Sequence, residues 1–332
     1  MVKFLIVLPV RNGGHYLAQC VDSILAQTYA SFRLVVLDNA SDDDAVAKLR
    51  ARDDPRITIR ESVSSLPIER SWGRIADLEP SDEFLTIVGH DDLLDENFLA
   101  TMSSLIERHP HATLYHAHFR LVSSGGTRIR SCEPIPAMER AHKFIEARLA
   151  LRRDSFGTGY VCRLRDYLRV GGIPGYPLLM FADDALWISL MAGSYMATAP
   201  EECFSYRLHS GSTSHAPDWR PTLQALEGFL DFLAGVARAD PACASAISRG
   251  IGHYGLFWFR WALFSASGRV GHRDEIKRRF EAIAIRIEGM IDASEVAGFR
   301  RATRAVWLGM FARLRWHAWQ LARYLKQQIK LR

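Results

Sequence analysis

The chain has 332 residues, 48% of them hydrophobic, which is enough apolar material for a substantial buried core and excludes a disordered or fibrous protein. Its 42 Lys and Arg nearly balance its 37 Asp and Glu, so the net charge of +5 by itself assigns no partner. That charge is unevenly placed, because residues 300–332 hold nine of the Lys and Arg and no acid, leaving the rest of the chain mildly acidic.

Five scattered cysteines, Cys20, Cys132, Cys162, Cys203 and Cys243, lack the close Cys or His pairing of structural zinc and read as reduced thiols of a cytosolic protein. The apolar stretch 4–10 is too short, and too soon followed by Arg11 and Asn12, for a signal peptide. A later apolar run, 256–264, is interrupted by Arg260, and no run reaches bilayer length. The expected location is therefore cytoplasmic.

In chain order, residues 4–9 predict a buried strand, and Leu17, Cys20, Val21, Ile24 and Leu25 take the spacing of one helix face. Residues 32–37 predict a second strand, 42–52 a helix, 56–60 an edge strand, 84–88 a central strand and 96–108 another helix. This alternation is that of a largely parallel sheet flanked by helices. Residues 112–122 predict a further strand, whereas 125–136, rich in Gly, Pro and Ser, predict a loop. The stretch 160–209 mixes short strands with a helix around 185–191, and the pattern beyond Ser214 is helical to the end.

In open α/β sheets ligands bind beyond the carboxyl ends of the strands, where loops surround a crevice. Pro9, Val10, Arg11 and Asn12 close the first strand, Asp38 follows the second, and His90, Asp91 and Asp92 follow the central one. Taken singly these residues have plainer readings. Asp38-Asn39-Ala40-Ser41 suits an Asx turn, Asp91 and Asp92 suit a solvated turn, and Asp183 and Asp184 suit the cap of the helix after them.

Their ordered combination resembles the inverting glycosyltransferases of family 2. Pro9-Val10-Arg11-Asn12, Ser23-Ile24-Leu25-Ala26-Gln27-Thr28 and Val35-Val36-Leu37-Asp38-Asn39-Ala40-Ser41-Asp42 look like that family's opening strand, helix and second strand. Gly89-His90-Asp91-Asp92 stands at its DXD motif, and Phe181-Ala182-Asp183-Asp184 at its acidic pair. Tyr206-Arg207-Leu208-His209, followed by Ser212-Thr213-Ser214, resembles its closing segment. The resemblance spans residues 1 to about 215. It implies a GT-A fold, a Rossmann-like mixed α/β sheet flanked by helices, over residues 1–215, and it leaves unexplained the separate helical region that the residue pattern gives over 216–332.

The resemblance also implies roles. Asp38 would accept hydrogen bonds from the nucleobase, commonly uracil, and the backbone from Pro9 to Asn12 would line base and ribose, which favours a UDP sugar as donor. Asp91 would hold Mn2+ or Mg2+, hard cations that suit oxygen donors and steady a diphosphate leaving group, with His209 either a further ligand or an ordinary core or surface histidine. Gly89 stands where the first carboxylate of the motif is expected, so only Asp91 and Asp92 remain. An inverting transfer needs one base, and Asp184 takes that role with Asp183 as the alternative. Arg70, Trp72 and Arg74 fall where the family contacts the donor, and Gly157, Thr158 and Gly159 form either a turn or an open approach for the acceptor.

Processive relatives carry a Gln-x-x-Arg-Trp motif and membrane spans, and neither is found here, so the expected reaction adds one sugar to a glycan or lipid-linked acceptor in surface polysaccharide assembly. At the end of the chain Trp307, Phe311, Leu314, Leu321, Leu325 and Ile329 recur at near-helical spacing, with Arg304, Arg315, Arg323 and Lys330 elsewhere on the stretch. With Trp316 and Trp319, such a basic amphipathic segment suits either an anionic membrane, here the inner face of the plasma membrane, or docking on the catalytic domain or a second subunit. No nucleic-acid recognition motif accompanies the charge. Two other readings stay open. A nucleotidyltransferase would need a Gly-rich phosphate loop, of which Arg11-Asn12-Gly13-Gly14 is a faint version, and a noncatalytic sugar-nucleotide binding subunit is suggested by Gly89.

Overall fold

The computed structural model describes residues 1–81, 83–209, 218–265 and 272–309. Its strands are β1 (Phe4–Val10), β2 (Phe32–Asp38), β3 (Ile57–Glu61), β4 (Phe84–Ile87), β5 (Leu93–Leu94), β6 (Leu114–Val122), β7 (Arg128–Ser131), β8 (Met138–Glu139), β9 (Val161–Arg163) and β10 (Met196–Arg207). Its helices are α1 (Gly14–Leu25), α2 (Ala45–Arg50), α3 (Ile68–Gly73), α4 (Phe98–Arg108), α5 (Ala141–Leu149), α6 (Leu164–Arg169), α7 (Ala182–Leu190), α8 (Trp219–Ala239), α9 (Pro241–Ser265), α10 (Arg273–Glu288) and α11 (Ala293–Gly309). The chain forms two compact units, one of residues 1–141, 155–175 and 182–210, the other of residues 142–154, 176–181 and 211–332.

The first unit is one mixed sheet in the order β3-β2-β1-β4-β9-β6-β10-β5, with β7 on β6 and β8 on β10. All seven residues of β1 are buried, as expected of a parallel strand covered on both faces. Helix α1 buries Leu17, Cys20, Val21 and Ile24 along one stripe, the pattern read from the sequence except that Leu25 is only half-buried. Strands β1, β2, β3 and β4 run parallel, β9 runs antiparallel to both β4 and β6, and β10 runs parallel to β6. One edge of the sheet therefore collects the carboxyl ends of β1, β2, β4, β6 and β10 together with the amino end of β9. That edge gathers every segment of the candidate site described below except the acidic pair. The register of β10 on β6 breaks between Ala199 and Glu202, where Pro200 has no N–H to donate.

Residues 125–136, expected as a loop, contain β7, which pairs antiparallel with β6. Gly125 and Gly126 make the turn into that strand, with Gly126 at φ +84°, so the turn residues masked the strand beyond them.

In the second unit, α8 and α10 are joined by three ion pairs, Arg220–Glu275, Arg279–Glu227 and Arg286–Asp231, whose rising numbers on both helices mean that the two run parallel. Leu223, Leu226, Leu230 and Leu233 form the buried stripe of α8, and Phe259 of α9 stacks on Phe280 of α10 at 3.7 Å between ring centroids. Segment 176–181 belongs here because Phe181 stacks on Phe229 and the Tyr176 hydroxyl donates to the carbonyl of Gly228. Among the described residues no helix is long and apolar enough to cross a membrane, and all five cysteines are free and buried. Trp307 lies beneath the Lys277 ammonium, 5.5 Å from the ring centre, and Arg304 is exposed. Phe311, Leu314, Arg315, Trp316, Trp319, Leu321, Arg323, Leu325, Ile329 and Lys330 lie outside the described residues, as do Ser212, Thr213 and Ser214.

Candidate active site

The site is built at the common edge of the sheet. Val10 and Asp38 are register partners, and the Val88 amide donates to the Val7 carbonyl, so the ends of β2, β1 and β4 stand side by side. Asp38 is buried, and its carboxylate accepts from the Ser41 amide at 3.2 Å and the Ser41 hydroxyl at 2.6 Å. The Asx turn is thus real, yet a carboxylate has about four acceptor positions, so these bonds do not exhaust it. Asn12 interlocks the two loops, its amide donating to the Ser41 hydroxyl and its side-chain oxygen accepting from the Asp42 amide. Pro9 and Val10 are buried in β1, whereas Arg11 and Asn12 are exposed beyond it. Arg74 donates to the carbonyls of Asp38 and Arg60 and so ties the ends of β2 and β3. Arg70 is exposed on α3, and Trp72 is half-buried and packs on Gly157, where a Cβ would lie 3.2 Å from the indole.

The loop after β4 turns tightly over this edge. A Cβ placed on Gly13 would lie 3.4 Å from the His90 ring, which sets His90 beside the loop after β1. Asp92 is turned into the protein, 1% exposed, and accepts from the Thr158 hydroxyl at 2.5 Å and the Arg207 amide at 2.9 Å. Burial, reinforced by the adjacent Asp91 charge, pushes its carboxyl well above the usual carboxylate range. The Thr158 hydroxyl also accepts from the Gly89 amide at 2.8 Å. Asp91, in contrast, keeps its carboxylate toward His209, whose Nε2 lies 2.7 Å from Asp91 Oδ2. Cys20 sits behind the loop against the Gly89 carbonyl, and burial raises its thiol pKa further from reactivity, with Asp92 and Asp91 adding to the shift.

Asp91 and His209 offer one carboxylate oxygen and one imidazole nitrogen at adjacent positions. Neighbouring vertices of an octahedron around a small divalent ion lie about 3 Å apart, so a slight opening of the pair would admit one. Among the described residues no group of three or more His, Cys, Asp or Glu side chains could hold a metal ion, so the remaining positions would fall to ligand oxygens and water. The pair fits a cation carried in with an oxygen-rich ligand, as a diphosphate is.

Asp183 and Asp184 lie in the first turn of α7, which starts at Ala182, three residues earlier than the sequence pattern suggested. Unpaired amides at a helix start favour negative charge there, and the Asp183 carboxylate accepts from the Asp184 amide at 2.9 Å. Asp183 is half-buried and Asp184 is 1% exposed. One turn further on, Trp187 stacks on Tyr160 at 4.2 Å between ring centroids, two residues from the Thr158 that bonds the loop after β4. Tyr16, Gln19 and Ser124 were missed by sequence reasoning. They meet Arg207 across separations of 83 to 191 residues, and no local pattern announces such contacts.

Residues 5–164 match the family Glycosyl transferase family 2. Over 106 residues the chain is 27% identical to the glycosyltransferase GlyG of Streptococcus pneumoniae, a stretch that covers 31% of this chain and 34% of GlyG. The chain spans about a third or less of the length of the curated relatives it matches. Residues 1–349 of TarS from S. aureus share its fold with a TM-score of 0.67 at 14% identity, over 93% of this chain and 89% of that one. The same protein in complex with UDP-GlcNAc gives 0.60 at 13% identity, over the same shares. A mannosyltransferase from Pyrobaculum calidifontis, in complex with GDP-Man and Mn2+, gives 0.52 at 16% identity over 99% and 88% of the two chains. At such identities the likeness establishes the fold, which is of the GT-A type.

Proposed function

We propose, on the match of residues 5–164 to glycosyltransferase family 2, that the protein transfers a single sugar, with inversion, from a nucleotide diphosphate sugar to an acceptor hydroxyl. The observation that carries this reading is the gathering of Asp38, Asp91 and His209 at one sheet edge, with Asp91 and His209 2.7 Å apart. Asp38 and the loop from Arg11 to Asn12 bind the nucleoside. A UDP sugar is the favoured donor, since TarS binds UDP-GlcNAc on this fold, although the Pyrobaculum enzyme binds GDP-Man.

Asp91 and His209 are the residues that would hold Mn2+ or Mg2+, which when bound offsets the charge of the diphosphate leaving group. Asp184, with Asp183 beside it, takes the proton of the acceptor hydroxyl, whose oxygen forms the new bond to the sugar's C1 as the C1–diphosphate bond breaks. Asp92, whose two carboxylate oxygens accept from the Thr158 hydroxyl and the Arg207 amide, supports the loop after β4. The acceptor is a glycan or lipid-linked hydroxyl of a surface polysaccharide, and the basic stretch 300–332 suits attachment at the cytoplasmic face of the membrane.

A thermal-shift panel of UDP, GDP and CDP sugars with and without Mn2+ tests the donor, because a ligand of the folded state alone raises the melting temperature. A Mn2+-dependent rise confined to UDP sugars is expected, and no rise with any sugar nucleotide would sink the reading. The binding-subunit alternative predicts the same rise without acceptor-dependent UDP release, and a nucleotidyltransferase would release diphosphate from a nucleoside triphosphate.

A further inference from the structure

We propose that Arg207 is a positioning residue that sets the Asp91–His209 pair for its cation, braced by Tyr16 and Gln19 of α1; the inference rests on the metal reading above. The guanidinium belongs to a residue only 3% exposed, and it donates to two separate loops and to helix α1. Nε donates to the Asp91 carbonyl at 2.7 Å, Nη1 to the Ser124 carbonyl at 2.9 Å and Nη2 to Gln19 Oε1 at 2.9 Å. The backbone amide of the same residue donates to Asp92 Oδ1 at 2.9 Å. Tyr16 covers one face of the guanidinium at 4.6 Å, packs on the His209 ring at 5.1 Å between centroids, and sends its hydroxyl toward the Ser124 carbonyl.

Burying a guanidinium is costly, and a well-packed apolar side chain would stabilise the fold at least as well. What only this side chain supplies is a rigid planar fork that fixes three acceptors at once. One of those acceptors is the main chain of Asp91, and His209 follows two residues later in the chain. Arg207 thus holds the carboxylate half of the pair by its backbone while the chain leaving β10 delivers the imidazole half. Tyr16 limits the swing of both. Lysine could reach one of these acceptors but not all three.

Residues that orient metal ligands contribute about 10- to 100-fold to metal affinity. The test is a Mn2+ titration of the full chain with saturating UDP, followed by the paramagnetic signal of free Mn2+, on wild type, Arg207→Lys, Tyr16→Leu, Gln19→Ala and Asp91→Ala. Melting temperature and UDP affinity in EDTA are measured alongside. Arg207→Lys is expected to weaken Mn2+ binding about 10-fold or more, Tyr16→Leu less, with UDP affinity in EDTA unchanged. Folded Arg207→Lys that binds Mn2+ within twofold of wild type, while Asp91→Ala loses it, would overturn the brace and leave the metal reading intact. Should Arg207→Lys fail to fold, wild-type Mn2+ affinity in both Tyr16→Leu and Gln19→Ala would overturn it. Wild type that binds UDP but no Mn2+ would overturn the metal reading and the brace with it.

Discussion

Restoring the first acid of the DXD motif by Gly89→Asp should weaken the cation site rather than complete it. A Cβ on Gly89 would lie 2.8 Å from Asp91 Oδ1 and 3.0 Å from Asp92 Oδ2, well inside ordinary contact. Asp92 has no room to retreat, being 1% exposed and held by Thr158 and the Arg207 amide. Asp91 must therefore yield, and its 2.7 Å contact with His209 yields with it. Overpacking of this kind costs about 1–3 kcal/mol, and a hydrogen bond to a charged group contributes about 1.5–3 kcal/mol. Gly89→Ala, which adds the carbon without the charge, should then melt several degrees lower, at about 2–4 °C per kcal/mol for a unit of this size. It should bind Mn2+ about tenfold more weakly in the presence of UDP. Gly89→Asp should lose more in the absence of metal, because a third carboxylate joins two already crowded ones. Scanning fluorimetry and calorimetric Mn2+ titration read both effects. A Gly89→Asp variant with wild-type melting and equal or tighter Mn2+ binding would refute the steric argument.

Asp184→Asn should lower sugar transfer by about 10²- to 10⁴-fold while leaving UDP affinity unchanged, with a smaller loss for Asp183→Asn; parallel loss of UDP affinity would remove Asp184 from the role of base. Gly159→Ala should cost about 3–5 kcal/mol in urea unfolding, since φ is +88° there and the new methyl would meet the buried Phe204 ring at 2.2 Å; a cost below about 1 kcal/mol would contradict this packing. The Arg33 guanidinium, hydrogen-bonded to Glu83, holds the Glu83 carboxyl below its ordinary value of 4.5. A lowered folded-state pKa means stability that is present above about pH 4.5 and lost as pH falls through the lower value. Glu83→Gln should therefore cost about 0.5–1 kcal/mol at pH 7, discounted because Arg33 is 42% exposed, and the difference from wild type should shrink on acidification. A difference that grows as pH falls would reverse the assignment.

The sequence alone determined the features that depend on near neighbours. The unbroken apolar run of β1, the one-sided stripe of α1 and the acids at the ends of β2 and β4 were legible because burial on one face, or on both, leaves its period in the residues themselves. The same segments, in order, carried the family resemblance. Only the tertiary structure decided which of two neighbouring aspartates points outward, since Asp92 is claimed by Thr158, 66 residues away, and by Arg207, 115 residues away. Only it showed that β9 runs against its neighbours and so returns Thr158 to Gly89, or that Arg207 meets Gln19 across 188 positions. Periodicity reports how a residue sits on its own helix or strand; which distant side chain completes its hydrogen bonds is set by sheet order and register, and those are properties of the assembled sheet.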